Sequence, residues 1–221
     1  VIILNHVTKR FKSGRGVRTV LSDISFTVEK GKMVAVMGTS GAGKTTLLNC
    51  IGGLEKPDMG SVICFREDIH RLSARKLSGY VRKNIGFVFQ GGNLISYLTV
   101  SENISFPLTL NRITGKKNRT RVEELLYLIG LSDTGRAMPH ELSGGERQRV
   151  SIARAIAHNP LILLADEPTA SLDSSTGAGI IKLMATMNKQ QECTTLFSTH
   201  DREIIKIADG VLTLKDGEVI K

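Results

Sequence analysis

Eight residues constrain this chain more than any others: Gly38, Thr39, Ser40, Gly41, Ala42, Gly43, Lys44 and Thr45. An apolar run, Met33 to Met37, precedes them, and Thr46, Leu47, Leu48, Asn49, Cys50 and Ile51 follow. The order is strand, glycine loop, helix, at the spacing of a phosphate-binding loop. The glycines permit a tight turn whose N–H groups point inward as an anion nest. The helix N-terminus behind the loop adds partial positive charge. Lys44 is placed to reach β- and γ-phosphates, and the Thr45 hydroxyl suits Mg²⁺.

The 221 residues are enough for one α/β domain with a real core, or a domain with a lobe. No apolar run approaches the roughly 18–20 residues of a membrane span. Val1 to Leu4, broken at Asn5, is too short for a signal peptide, and a start at Val1 without an initiator Met leaves room for a longer parent chain. Cys50, Cys64 and Cys193 form neither a CxxC metal pattern nor an even disulfide framework, so they read as small buried hydrophobes in a reducing, cytosolic compartment.

Net charge is +9, and its location says more than its size. Between Ile69 and Val122 stand Arg71, Arg75, Lys76, Arg82, Lys83, Arg112, Lys116, Lys117, Arg119 and Arg121, against the single acid Glu102. The remainder of the chain balances. This middle third is a solvated basic face, or it faces an anionic membrane surface or nucleic acid.

In chain order, residues 2–36 read as β, with Ile24, Phe26 and Val28 on one face of an alternating strand. Phe11 sits in polar surroundings and is a candidate platform for base stacking. The glycine-loop helix ends near Gly52-Gly53. A strand is expected at 61–65, a basic helix over Ser73–Lys83, and a short strand over Ile85–Phe89 that ends at Gln90. Residues 93–141 read as an inserted helical lobe, with Val122, Leu125, Leu126 and Ile129 on one helix face, Gly130 as a C-cap, and Pro107 and Pro139 as punctuation.

Leu142-Ser143-Gly144-Gly145-Glu146 then opens a helix running to about His158, and its free N–H groups make a second anion site. Leu161 to Ala165 is a continuous apolar strand that ends in Asp166 and Glu167. Carboxylates there face the crevice where ligands of open α/β sheets sit. Asp166 suits Mg²⁺ and Glu167 suits polarising a water. Ser171-Leu172-Asp173 precedes a helix with Ile180, Met184 and Met187 on one face. Thr194 to Ser198 is a strand ending near His200, on the same sheet edge as Asp166. Val211–Leu214 and Glu218–Ile220 close the chain as a hairpin.

That series, taken together, resembles the nucleotide-binding domain of ATP-binding-cassette (ABC) proteins across essentially the whole chain. The resemblance implies a P-loop NTPase core with a mostly parallel sheet, an N-terminal antiparallel β subdomain and an inserted helical subdomain. It places the core in residues 1–92 and 142–221 and the helical subdomain in 93–141. It implies that Phe11 stacks on adenine, and that Gly38 to Thr45, extended by Thr46, is the Walker A loop. Gln90 would be the Q-loop residue that joins Mg²⁺ and water to the transporter's moving parts. Ser143, Gly144 and Gly145 would clamp the γ-phosphate bound on an opposite subunit. Asp166 would support the metal, Glu167 would be the catalytic base, Asp173 would cross the dimer interface, and His200 would contact the γ-phosphate. Two anion sites on one chain then fit a head-to-tail, two-fold homodimer formed on ATP binding.

Leu48 to Leu54, the basic helix before Ile85 and Leu164 to Thr169 are similar to the lipoprotein-release and macrolide-export group. Ala170-Ser171 stands where that group commonly has Gly-Asn, and Arg66 where a turn Gly is usual. The resemblance implies an MgATP hydrolase on the cytoplasmic face of a membrane, working with a separate or fused permease of export or extrusion type. The alternatives are a non-transport ABC ATPase acting on nucleic acid or ribosomes, and a regulatory nucleotide-binding module. The absence of a second cassette and of a long coiled-coil insert argues against nucleic acid as a partner. The presence of Glu167 and His200 argues against a regulatory module.

Overall fold

The computed structural model describes residues 1–14, 16–170, 172, 174–200 and 205–220. Its elements, in chain order, are β1 (Ile2–Ser13), β2 (Gly16–Val28), β3 (Met33–Met37), α1 (Lys44–Ile51), β4 (Met59–Cys64), β5 (Glu67–Asp68), α2 (Ala74–Asn84), β6 (Ile85–Val88), α3 (Val100–Leu110), α4 (Gly115–Leu128), α5 (Gly144–Ile156), β7 (Ile162–Ala165), α6 (Ser174–Gln191), β8 (Thr194–Thr199), β9 (Gly210–Lys215) and β10 (Glu218–Ile220).

Two sheets carry the architecture. An antiparallel one has the order β2-β1-β4-β5, and a six-stranded one the order β10-β9-β3-β8-β7-β6. In the second sheet every pairing but β9–β10 is parallel. The central strands β7 and β8 are buried at every position, as a strand covered on both faces must be. The fold is therefore the α/β P-loop arrangement, with an antiparallel β unit beside a mostly parallel sheet.

Parallel pairing puts the carboxyl ends of β3, β6, β7 and β8 on one edge. Gly38, Asp166 and His200 follow β3, β7 and β8 directly, and Gln90 lies just beyond β6. The alternation in β2 holds: Ile24 and Val28 are buried and Phe26 half-buried, against the antiparallel partner β1. In the β4–β5 turn Phe65 and Arg66 both take positive φ, +48° and +76°. Such a turn favours glycine or asparagine, which is why an Arg at 66 stands out in the sequence.

Two expectations need correction. The helical part of 93–141 begins only at Val100, because Asn103 holds the preceding segment in a non-helical path. Its side chain donates to the carbonyls of Ile95, Leu98 and Thr99 and accepts from the Ile95 N–H. Pro107 does not break α3, which continues to Leu110. Ile104 and Leu108, buried on either side of it, hold the helix to the core. The apolar face of α3 and α4 is continuous through α5 with one face of the parallel sheet, so Val100, Leu125, Val150 and Phe197 share a single cluster.

All three cysteines are free and buried, and burial pushes each thiol up to about 12. None is reactive at neutral pH. Among the described residues, no helix is long and apolar enough to cross a membrane.

Candidate functional site

The loop between β3 and α1 is shaped by two glycines. Gly38 has φ +156°, and a Cβ there would lie 2.5 Å from the Leu214 carbonyl oxygen. Gly43 has φ +104°, and a Cβ would lie 2.8 Å from the Val20 carbonyl oxygen and 2.9 Å from Leu21 Cδ2. A side chain fits at neither position. With Gly43 as its N-cap, α1 points its N-terminus into the cleft.

Lys44 is 6% exposed, and its ammonium is folded into the loop. It donates to the carbonyls of Gly38 at 2.8 Å and Thr39 at 3.2 Å. It also lies 3.3 Å from Glu167 Oε1.

A hydroxyl network ties α1 to the ends of β7 and β8. Thr45 Oγ1 donates to Asp166 Oδ2 at 2.7 Å. Ser198 Oγ donates to Asp166 Oδ1 at 2.7 Å and accepts from the Glu167 N–H at 2.7 Å. Asp166 is 7% exposed, and among the described residues its carboxylate faces hydroxyls and no ammonium or guanidinium. A buried anion held only by neutral donors, beside a second oxygen ligand from Thr45, suits a hard divalent cation. Glu167 takes φ +44°, a conformation costing a non-glycine residue about 1–3 kcal/mol. His200 Nδ1 is 4.0 Å from Glu167 Oε1, with a largely exposed ring.

Of these groups Lys44, Thr45 and Glu167 line a cleft of about 350 Å³, together with Arg18, Val20, Ser40, Gly41, Gly43, Thr46 and Gln90; Asp166, Ser198 and His200 do not. Its lining is mostly polar and it opens to solvent, as a phosphate site on a closing surface would.

The comparisons with known proteins decide the family. The profile of the ABC transporter family matches residues 21–170. The chain belongs to the ABC transporter family. The ATP-binding cassette MJ0796, solved as a dimer in a post-hydrolysis state bound to ADP and Pi, superimposes with a TM-score of 0.94 at 39% identity, covering this chain entirely and 97% of that one. CbiO1 of Clostridium perfringens, described as part of an ABC transporter complex, gives a TM-score of 0.88 at 29% identity over 100% of this chain and 87% of that one. Methionine import ATP-binding proteins MetN 2 of Rhodococcus jostii and MetN of Sodalis glossinidius are 41% and 42% identical across the whole chain. This chain spans 65% and 64% of their lengths.

In this ABC cassette Ser143, Gly144 and Gly145, expected to be the signature, open α5 and do not line the cleft holding Lys44. The expectation of free N–H groups there is only partly met. Glu146 folds back in a capping box: its carboxylate takes the Ser143 N–H at 2.8 Å and hydroxyl at 2.7 Å, and the Glu146 N–H donates to Ser143 Oγ at 3.3 Å. The Ser143 hydroxyl and N–H hold the Glu146 carboxyl below its ordinary range. Gly145 is small because α6 passes close by, and a Cβ there would meet Thr176 Cγ2 at 2.9 Å.

Phe11 lies on β1 opposite Arg18 of β2. Its ring is 38% exposed, with the Lys9 ammonium 4.9 Å from the centroid. The cleft wall on this side is formed by Arg18 and Val20, two residues that no sequence signal marked. Asp173 lies outside the described residues. Ser198 was also missed, since a serine near the end of an apolar strand carries no sign of the carboxylate it will face.

Proposed function

We propose that this cassette binds and hydrolyses ATP with Mg²⁺ at the interface of a head-to-tail homodimer, and so drives a membrane permease. One observation carries the reading. The hydroxyl network of Thr45, Asp166 and Ser198 brings Glu167 beside Lys44 at the mouth of the phosphate loop. Lys44 and the loop N–H groups bind the β- and γ-phosphates, with Phe11 under the base. Thr45, Asp166 and Gln90 would hold Mg²⁺, which would supply neutralisation of the charge on the phosphates. Glu167 accepts a proton from the attacking water, and His200 orients the reacting groups. Ser143, Gly144, Gly145 and Asp173 complete the partner subunit's site, and the dimeric state of MJ0796 supports that arrangement.

A groove of about 630 Å³ between α2 and α3 supports the permease contact. Leu77, Val81, Phe89, Phe106 and Leu110 line it, and Arg82 stands at its wall. Arg82 is the one basic residue of the stretch 69–122 that lines it, and near anionic headgroups each basic residue of that stretch would contribute about 1 kcal/mol. Peripheral attachment to the cytoplasmic face follows. Residues 93–141 act as the helical subdomain between core segments 1–92 and 142–221.

The similarity at 48–54 and 164–169 supports a permease of export or extrusion type. The curated relatives are import proteins, and they favour a second reading in which the permease is an importer. With the permease co-reconstituted and ATP outside inverted vesicles, cargo accumulating inside means export. Cargo leaving preloaded vesicles means import. For the activity itself, the purified chain should release phosphate from ATP only with a divalent cation, and Lys44→Ala should abolish release. Equal release from that variant would overturn the reading.

A further inference from the structure

Arg154, in the last turn of α5, has no place in the chemistry above. Its guanidinium is half-buried, and among the described residues its hydrogen-bond acceptors are neutral oxygens. Nη2 donates to the Gly92 carbonyl at 2.9 Å, and Nη1 to the Asn93 carbonyl at 2.9 Å and loosely to Asn103 Oδ1 at 3.5 Å. Burial pulls the guanidinium pKa below its ordinary value, so this contact holds a cation away from the water that would otherwise solvate it.

The two carbonyls belong to the turn directly after Gln90. Gly91, Gly92 and Asn93 have φ of +74°, +82° and +43°, three left-handed residues in succession. Asn93 is among the few non-glycine residues that tolerate that conformation, and contacts from outside the loop fix the turn there. The holder is α5. A Cβ at Gly92 would sit 3.3 Å from the Arg147 carbonyl oxygen, and Arg154 grips the carbonyls of Gly92 and Asn93. A planar guanidinium reaches the two carbonyls from two separate nitrogens held in a fixed fork, a geometry that an ammonium's single nitrogen does not reproduce. Arg154 also lines the apolar groove, together with Asn93 and Phe106. At the other end of the same helix, roughly 16 Å away at 1.5 Å per residue, stands Ser143.

We propose that Arg154 is a positioning residue that fastens the backbone after Gln90 to the signature helix. The cleft, the signature and the groove are thereby joined through one side chain. Anything that fills the groove presses on the group that sets where Gln90 stands. The inference rests on the functional reading above, but its first test does not need ATP.

That test is hydrogen exchange by mass spectrometry on the purified chain without nucleotide, comparing wild type with Arg154→Met and Arg154→Lys. Peptides covering 91–95 should exchange faster in both variants, while those covering 144–150 keep wild-type protection. In steady-state ATP hydrolysis, Arg154→Met should lower kcat on the order of tenfold with KM within about twofold, and Arg154→Lys should recover part of the loss. Wild-type exchange at 91–95 in both variants overturns the proposal, whatever their turnover. So does loss of protection along all of α5, which would mark Arg154 as a general packing residue. Should Arg154→Met fail to fold, Arg154→Lys decides by the same criteria. A wild-type chain that hydrolyses no ATP would defeat the functional reading, and the exchange comparison would still judge the fastening.

Discussion

Thr45 and Asp166 meet at 2.7 Å, hydroxyl to carboxylate, although one starts the helix after the phosphate loop and the other ends a central strand. Each alone is a weak indication of metal chemistry. Together they place two oxygen ligands of the type Mg²⁺ prefers beside a lysine poised for phosphate. On the proposed reading Thr45→Ala removes one Mg²⁺ ligand, and it leaves Asp166 Oδ2 without its donor. Hydrogen bonds to charged groups contribute about 1.5–3 kcal/mol, so turnover should fall about 10–150-fold, with more Mg²⁺ needed for half-maximal rate. Thr45→Ser should restore both. Phosphate release measured against Mg²⁺ concentration decides the matter, and an Mg²⁺ dependence unchanged in Thr45→Ala would remove Thr45 from the metal site.

Glu167 is held by its own backbone. Its N–H donates to Ser198, and its positive φ turns the carboxylate toward Lys44. Glu167→Gln keeps that shape and loses the proposed base. It should bind ATP normally, lose turnover by about 10²–10⁴-fold, and accumulate as a dimer on size exclusion in ATP. Near-normal hydrolysis by the variant would sink the assignment.

Phe11 does not line the cleft, and its proposed stacking on the base is open to a direct test. Stacking on a base is worth about 1–3 kcal/mol, so Phe11→Ala should weaken ATP and ADP binding alike by about 5–150-fold, with the Mg²⁺ dependence intact. Titration with a fluorescent nucleotide reads this directly. Its exposed ring already has a cation over one face, from Lys9, and unchanged affinity would reduce Phe11 to the partner of that contact.

What the sequence made legible was whatever one local segment could specify. The phosphate loop was readable because Gly38 and Gly43 must adopt conformations that a side chain forbids. Strand β7 was readable because burial on both faces leaves only apolar residues. The α4 stripe was readable through its period, and Val122, Leu125 and Leu126 are indeed buried. Ser198, Arg18, Asn103 and Arg154 were not legible, because each acts across the fold on a group distant in sequence. Asn103 is fully buried within a helix, where a polar residue argues against core, and it is explained only by the carbonyls of Ile95, Leu98 and Thr99. Glu146 misled for the opposite reason. A capping box was written in the sequence, yet the glycines beside it drew the reading toward an empty anion site.

His70 links stability to pH. Its ring is half-buried, and its Nε2–H donates to the Cys50 carbonyl at 2.8 Å, behind the phosphate-loop helix. Burial lowers its pKa from the ordinary histidine value, with the Cys50 hydrogen bond opposing that shift. The folded state therefore binds the proton less readily than the unfolded chain does. The neutral ring's contribution is fully present above the unfolded value near 6.5, and it is lost as pH falls below that value through the lower folded one. His158 shifts in the same direction by burial and acts in the same window. Thermal melting should thus show Tm falling between pH 7.5 and 5.5. His70→Gln can still donate to Cys50 and does not titrate, so its Tm should fall less over that interval. An identical fall in wild type and variant would mean that His70 protonates in place, and that the acid sensitivity belongs to other groups.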